Sequence, residues 1–436
     1  MIALALRGSA LNAARLDMPF IVRAQATLSA LRTHHVVLLA FATRLIWFAL
    51  CPNQPVSDQL TYHRSAVELA LGLGYIEPDG SPANLWPVGY PALLAAVYRL
   101  FGPNYAAAYA LNILLSLFLV WGVAQLGTWL FGRESGVLAA LVIALHPTFV
   151  MHTTMLASEL PYITGAVWLF ALLVQIARGE ISLLWSVPLA GIAIGLLSYI
   201  RPTALTFVLI LPLFGWLWRR LRLSVLGVSS LVIVLLAIAV LLPWGFRNQR
   251  VFGAFSLTSN NGGENLWMGN NPESSGDYME FPRDVLPMRI VQRQRVLGAR
   301  AIAFIEAHPL KYLALCAKRV GRTMRSDTIA VAWNDIGIRS SFGAGALLPF
   351  KVLCSLAHWT LLSLVALAWL ARGRSHWRRE DVALGFLIAL LAAPFVLIVG
   401  GNRYMVPILP LLSIWAASGV WMLVSEAVLD QRELRA

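Results

Sequence analysis

Five ionisable residues stand out in a strongly apolar chain because each lies at or near the end of a long apolar stretch: Asp58, Glu159, Arg201, Arg247 and Arg403. A charged side chain in hydrocarbon costs about 2.5–3.5 kcal/mol when central, so such groups normally mark a pathway or a site. A carboxylate can accept a proton, and a guanidinium keeps its charge when desolvated and offers a planar fork of donors. Together they suit acid–base chemistry beside an anion. Each also has a plainer reading. Asp58 fits an N-cap, Glu159 a first-turn acid favoured by the helix dipole, and each arginine, Arg247 most of all beside Trp244, a guanidinium reaching from an interface to water. Chemistry requires that the five meet, and that depends on the elements carrying them.

Composition dictates those elements. Hydrophobic residues make up 58% of the 436, charged residues only 13%, and mean hydropathy is +0.70, a balance that no water-soluble fold could cover. The fold class is an all-α polytopic membrane protein. Apolar stretches long enough for a hydrocarbon core of about 30 Å run over 35–51, 105–130, 135–151, 160–177, 183–199, 203–218, 224–244, 346–371, 382–399 and 404–424, making about ten transmembrane helices. A cytoplasmic start places Arg133, Arg178, Arg219, Arg220, Arg222, Arg372, Arg374, Arg378 and Arg379 inside, as the positive-inside rule asks. Residues 1–33, with Arg7, Arg15, Arg23 and Arg32, read as a cytoplasmic interfacial lead-in, 34–425 as one membrane domain and 426–436 as a cytoplasmic tail.

Two external loops result, 52–103 and 245–345. The first contains an apolar stretch from Tyr90 to Phe101 that is too short to span. Its stripe of Tyr90, Leu93, Leu94, Val97 and Phe101 predicts a helix lying on the outer membrane face. Residues 300–325 predict a second interfacial helix, and the Asn/Gly-rich 258–278 predicts a loop. Arg44, inside the first span, is expected to reach outward or to pair with an acid. The excess of 34 Lys+Arg over 21 Asp+Glu has its source at cytoplasmic span ends and beside lipid phosphates, so no nucleic acid is implied. Cys51, Cys316 and Cys354 lack metal or redox spacing, and His63, His146 and His152 lack pairing with acids, so neither a metal site nor a cofactor is read.

This topology brings Asp58, Glu159, Arg201, Arg247 and Arg403 to one face. In order along the chain come Ser57-Asp58-Gln59 with Tyr62, Trp86-Pro87-Val88-Gly89-Tyr90-Pro91, Ser158-Glu159-Leu160-Pro161 and Tyr199-Ile200-Arg201-Pro202. Pro243-Trp244-Gly245-Phe246-Arg247-Asn248, the Asn260 to Pro272 loop and Asn402-Arg403-Tyr404 follow. With these segments the chain resembles the GT-C membrane glycosyltransferases, the group of protein O-mannosyltransferases and the lipid A aminoarabinose transferase. It departs from the mannosyltransferases at Gln59, where they usually carry a second acid, and it has no sizeable soluble domain. A protein acceptor is thereby disfavoured against a glycolipid or glycan.

The resemblance implies a polyprenyl-phosphate sugar as donor, in keeping with the lack of a nucleotide-binding fingerprint. It implies Asp58 as the base that deprotonates the acceptor, with inversion. Arg201 and Arg403, helped by Tyr404 and Arg247, would hold the departing phosphate. Glu159, Tyr62 and Trp86 would hold sugar or acceptor, and Trp267 is a further aromatic in an external loop. The implied location is the inner (plasma) membrane, with both termini cytoplasmic, membrane lipids as neighbours and the site external or periplasmic. The alternative from another class is a transporter or lipid flippase for a glycoconjugate precursor, which would be expected to show inverted repeats and broken helices at mid-membrane.

Overall fold

The computed structural model describes residues 18–373 and 377–433; Arg7 and Arg15 of the lead-in, Arg374, and 434–436 of the tail lie outside the described residues. Among these, the chain is helical throughout, with 3-10 turns and one isolated bridge, Ile76 to Pro82. Helix α1 (Met18–Ala30) and the first span α2 (Thr33–Leu50) lead to two short helices, α3 (Asp58–Ala70) and α4 (Gly89–Phe101). Next come α5 (Tyr105–Phe131), α6 (Arg133–Leu145), α7 (Pro147–Met151), α8 (Glu159–Arg178) and α9 (Leu183–Ile200). A 3-10 run, Pro202–Leu209, continues into α10 (Ile210–Trp218), and α11 (Leu223–Phe252) follows. Then α12 (Gly262–Gly269), α13 (Ile290–Ala307), α14 (Pro309–Arg325), α15 (Ile329–Trp333) and α16 (Asp335–Phe342) precede the last long helices, α17 (Leu347–Arg372), α18 (Arg379–Leu397) and α19 (Leu409–Glu433).

Eight of the described helices are long and apolar enough to cross a membrane, or nine when α6 and the segment Pro147–Thr154, bent by 59°, count as one span. The chain is a multi-pass membrane protein. The expected crossing over 203–218 is a shorter apolar helix, Pro202–Trp218, because Pro202 opens it and its first eight residues are 3-10. The tighter helix rises about 2 Å per residue against about 1.5 Å for the nine α residues after it, so the segment still reaches roughly 30 Å. It joins the two ends of the bundle. Arg201 before it pairs with Glu159, and Trp218 at its far end stands 5.0 Å beneath the Arg178 guanidinium.

Helix α8 is the central span, with 78% of its most apolar window buried against 22% for α2. The bend between α6 and α7 leaves carbonyls without helical partners, and Arg44 supplies the donors. Fully buried, it bonds to the carbonyls of Ile143 (3.0 Å) and Ala144 and to Ser116 Oγ (3.0 Å). Arg44 therefore neither reaches outward nor pairs with an acid: backbone dipoles replace the missing carboxylate.

Three expectations for the loops are corrected. Tyr90 and Leu94 of the expected α4 stripe are buried with Tyr98 against α3, while Phe101 at its end is exposed, so part of that face meets protein. The Asn/Gly-rich segment contains helix α12, whose Trp267 and Met268 are buried with Leu297 and Ala301 of α13; Trp267 is thus a packing residue. Residues 300–325 are not one helix, because Pro309 starts α14 after a break at His308, and Phe304 is buried while Leu310 and Leu313 are exposed.

Candidate active site

Four elements converge at one end of the bundle. Asp58 is the first residue of α3, Glu159 the first of α8, Arg201 follows α9, and Arg403 lies in the 3-10 turn Asn402–Met405 before α19. Asp58 does not cap its helix: Ser57 holds the N-cap position, and no side-chain cap bond forms there. Ser57 has φ +52°, a left-handed conformation that costs a serine about 1–3 kcal/mol and persists only where the surroundings fix it. The backbone is held this way just before the carboxylate. At Gly89, the first residue of α4, an added Cβ would lie 2.5 Å from the Tyr199 carbonyl carbon, so only glycine lets α4 touch the chain two residues before Arg201.

The four charges alternate. Arg403 Nη1 lies 2.9 Å from Asp58 Oδ2, and its Nε lies 2.9 Å from Glu159 Oε1. The same Glu159 oxygen is 2.6 Å from Arg201 Nη2. Glu159 is 2% exposed, and its Oε2 has no hydrogen-bond partner, whereas the Asp58 side chain is 19% exposed. Two guanidinium groups thus share one deeply buried carboxylate, and the more accessible carboxylate hangs from the outer one. Burial opposes charge on Arg403, but Glu159, Tyr404 and Asp58 outweigh it and hold the group well above its ordinary range. Its charge is permanent.

Aromatic and polar groups frame these ions. The Arg403 guanidinium carbon is 5.0 Å from the Trp333 ring and 6.0 Å from that of Tyr404, and Arg201 lies 5.5 Å from Tyr162. Ser158 Oγ accepts from Arg201 Nε and Nη2 (both 3.3 Å) and from the Tyr62 hydroxyl (3.4 Å). Burial pushes the Tyr62 phenol up to about 12, so it remains a proton donor. Trp86 stands at the margin, its ring 6.0 Å from that of Tyr62. Arg247 is occupied elsewhere: it donates to the carbonyls of Ala83 (2.9 Å) and Tyr75 (3.2 Å) and lies over Trp244. It pins the first loop.

Gln59 and Trp333 escaped the sequence analysis as site residues. The Gln59 amide donates to the Trp333 carbonyl (3.0 Å) and accepts from Leu156 N (3.0 Å), while Asn53 donates to the same Trp333 carbonyl (3.0 Å). One buried amide thus ties the segment leading to Glu159 to the residue beneath Arg403. A carboxylate at position 59 could not donate that bond, which gives the departure from an acid pair a physical reason. Nothing in the sequence around Trp333 distinguishes it from the other fifteen tryptophans.

Both acids are already bound to guanidinium groups. His63 bonds to the Tyr98 hydroxyl (2.8 Å) and His152 to the Thr148 carbonyl (2.7 Å). Among the described residues no three His, Cys, Asp or Glu side chains are grouped as ion ligands.

No protein-family model and no curated protein matches the chain. Solved structures do. The oligosaccharyltransferase AglB from Archaeoglobus fulgidus, in complex with an inhibitory peptide and a dolichol-phosphate, aligns with TM-score 0.54 at 15% identity, covering 92% of this chain and 51% of that one. A second structure of the Archaeoglobus fulgidus oligosaccharyltransferase, with zinc and sulfate, gives 0.53 at 15% over the same shares. ArnT from Cupriavidus metallidurans, bound to undecaprenyl phosphate, gives 0.43 at 16%, covering 91% of this chain and 78% of that one. The chain spans about half the length of the archaeal proteins it matches. Over nearly its whole extent the chain shares the fold of these archaeal oligosaccharyltransferase structures.

Proposed function

We propose that this chain is a membrane glycosyltransferase that moves a sugar from a polyprenyl-phosphate donor to a glycolipid or glycan acceptor at the external, periplasmic face of the inner membrane. The observation that carries this reading is the meeting of Asp58, Glu159, Arg201 and Arg403 from four separate elements at one end of the bundle. A transporter would be expected to gather its polar site near mid-membrane, at broken helices. Here the interhelical ion pairs collect at its ends.

In this reading the donor phosphate binds Arg403 and Arg201 and displaces Asp58 from Arg403. The freed carboxylate takes the proton of the acceptor hydroxyl while that oxygen bonds to the anomeric carbon. The bond from that carbon to the phosphate oxygen breaks, and the guanidinium groups stabilise the departing lipid phosphate as its charge grows. Attack opposite the leaving group inverts the anomeric centre. Glu159 keeps both guanidinium groups in register, and Tyr404 shields Arg403. An apolar groove of about 620 Å³ between α14, α17, α18 and α19, lined by Val320, Met324, Phe395, Met405 and Trp415, offers the polyprenyl chain a path beginning two residues from Arg403.

The test is transfer from polyprenyl-phosphate sugars by the purified protein in detergent, wild type against Asp58→Asn. Loss of transfer with donor binding retained is expected. Unchanged turnover in the variant would remove Asp58 as the base.

A further inference from the structure

Helix α14 presents three different faces. Successive residues turn by about 100°, which puts Leu310, Leu313, Ala314, Ala317, Gly321 and Met324 on one stripe. Leu310 is 80% exposed, Leu313 60% and Met324 38%. Beside this stripe, at intervals of seven, stand Lys311, Lys318 and Arg325, all exposed. Arg322 shares their side but bonds to Ser275 (2.8 Å). The third face is turned into the protein and carries Arg319 and Thr323, both fully buried.

That inner face holds the backbone on which Arg403 depends. Arg319 Nε donates to the Val396 carbonyl (2.7 Å), and its terminal nitrogens reach the carbonyls of Gly269 (2.7 Å), Leu397 and Ile398 (both 3.4 Å). The last turn of α18 thereby gains donors for carbonyls that have no helical partner. Thr323 Oγ1 accepts from Gly401 N (3.3 Å), and a Cβ at Gly400 would lie 2.9 Å from that of Arg319. Arg403 follows two residues after Gly401, so the backbone that places it is clamped by α14.

The outer faces match a bilayer surface. An exposed apolar stripe flanked by cations is what a helix needs to rest in the plane of the lipid head groups. Met324 of this stripe and the adjoining Val320 line the same apolar groove as Leu362, Val365 and Trp369 of the span α17, which sets α14 at the edge of the hydrocarbon. The cations then lie beside head groups, where each contributes attraction to anionic lipid.

We infer that α14 is a lever that binds anionic lipid head groups through Lys311, Lys318 and Arg325 and, through Arg319 and Thr323, sets the position of Arg403 for the donor phosphate. The coupling to donor rests on the function proposed above, whereas the lipid contact does not. The partner is the anionic membrane surface, and the consequence is that donor affinity depends on bilayer charge.

The full chain is placed in nanodiscs of phosphatidylcholine alone or mixed with phosphatidylglycerol, and two quantities are measured: amide hydrogen exchange over 309–325 and the dissociation constant for polyprenyl phosphate. Phosphatidylglycerol is expected to slow exchange in α14 and to tighten polyprenyl phosphate binding by about fivefold, the worth of roughly one cation at a charged surface. The triple variant Lys311→Gln, Lys318→Gln, Arg325→Gln should lose both effects and bind as wild type does in phosphatidylcholine. Arg319→Lys should keep the slowed exchange and lose the gain in affinity. Exchange in wild type that ignores phosphatidylglycerol, or a triple variant that still responds, overturns the lever. Lipid-dependent exchange with no polyprenyl phosphate binding in either disc would instead overturn the donor reading and the coupling together.

Discussion

The two ends of the bundle both bury ion pairs, but they arrange them differently. At the end opposite the site, Arg372 lies 2.8 Å from Asp381, whose carboxylate also accepts from Trp415 Nε1 (2.9 Å) and Arg378 N (3.1 Å). Arg178 lies 2.8 Å from Glu380 and donates to the Trp129 carbonyl. There each carboxylate faces one principal guanidinium, and indole or backbone groups supply the remaining bonds. At the site end, Glu159 serves two arginines through one oxygen and leaves the other oxygen without a partner, and Asp58 is held by Arg403 and stays accessible. Well-satisfied pairs staple helices together. Shared pairs with spare bonding capacity can exchange partners with a ligand, which is what a site requires.

Substitutions at the two ends break this comparison most sharply. Asp58→Asn should reduce transfer by about 10²–10⁴-fold and leave the thermal midpoint nearly unchanged, as read by turnover beside a melting curve. Asp381→Ala should do the reverse. It removes the carboxylate beside buried Arg372, and breaking a buried ion pair costs about 3–5 kcal/mol, so the protein unfolds earlier in denaturant while each folded molecule keeps its turnover.

A third buried acid sharpens the same contrast. Asp327 is fully buried and accepts from Thr148, and among the described residues no cation pairs with it; burial raises it from 3.8 to about 7. Because the folded state holds this proton longer than the unfolded chain, the associated stability is full below 3.8 and is lost as pH rises through about 7. Its size is roughly 4 kcal/mol. Asp327→Asn should flatten that part of the stability profile in a denaturant titration at stepped pH. A smaller effect is expected from Gln59→Glu, which loses the donor to the Trp333 carbonyl at a cost of about 1–3 kcal/mol. Donor affinity should weaken near neutral pH and recover on acidification, when the new carboxyl is protonated and can donate.

Much of this was legible in residue types and spacing. Runs of apolar residues long enough to span announce themselves, and counting crossings from Thr33 brings Asp58, Glu159, Arg201 and Arg403 to one end without knowledge of any contact. Which charge meets which is not written in the chain. Residue type alone lets Glu159 serve sugar or acceptor, and only the approach of α8, α9 and the turn before α19 sets it beside two guanidinium groups. Arg44 and Arg319 mislead for a related reason: each satisfies its charge on carbonyls at a helix end, a partner that sequence does not reveal. Helix α12 was hidden because asparagine and glycine have low helix propensity, and its packing on α13 overrides that preference.

The claim that the site end is built for a lipid phosphate, and the other end for the fold, is tested most directly by the dissociation constant of polyprenyl phosphate for wild type, Arg403→Ala and Arg178→Ala. Loss of a charged hydrogen-bonding partner should weaken binding to Arg403→Ala by about 10–100-fold, with Arg178→Ala binding as wild type does. Equal affinity in all three proteins, or equal loss in both variants, would contradict the account.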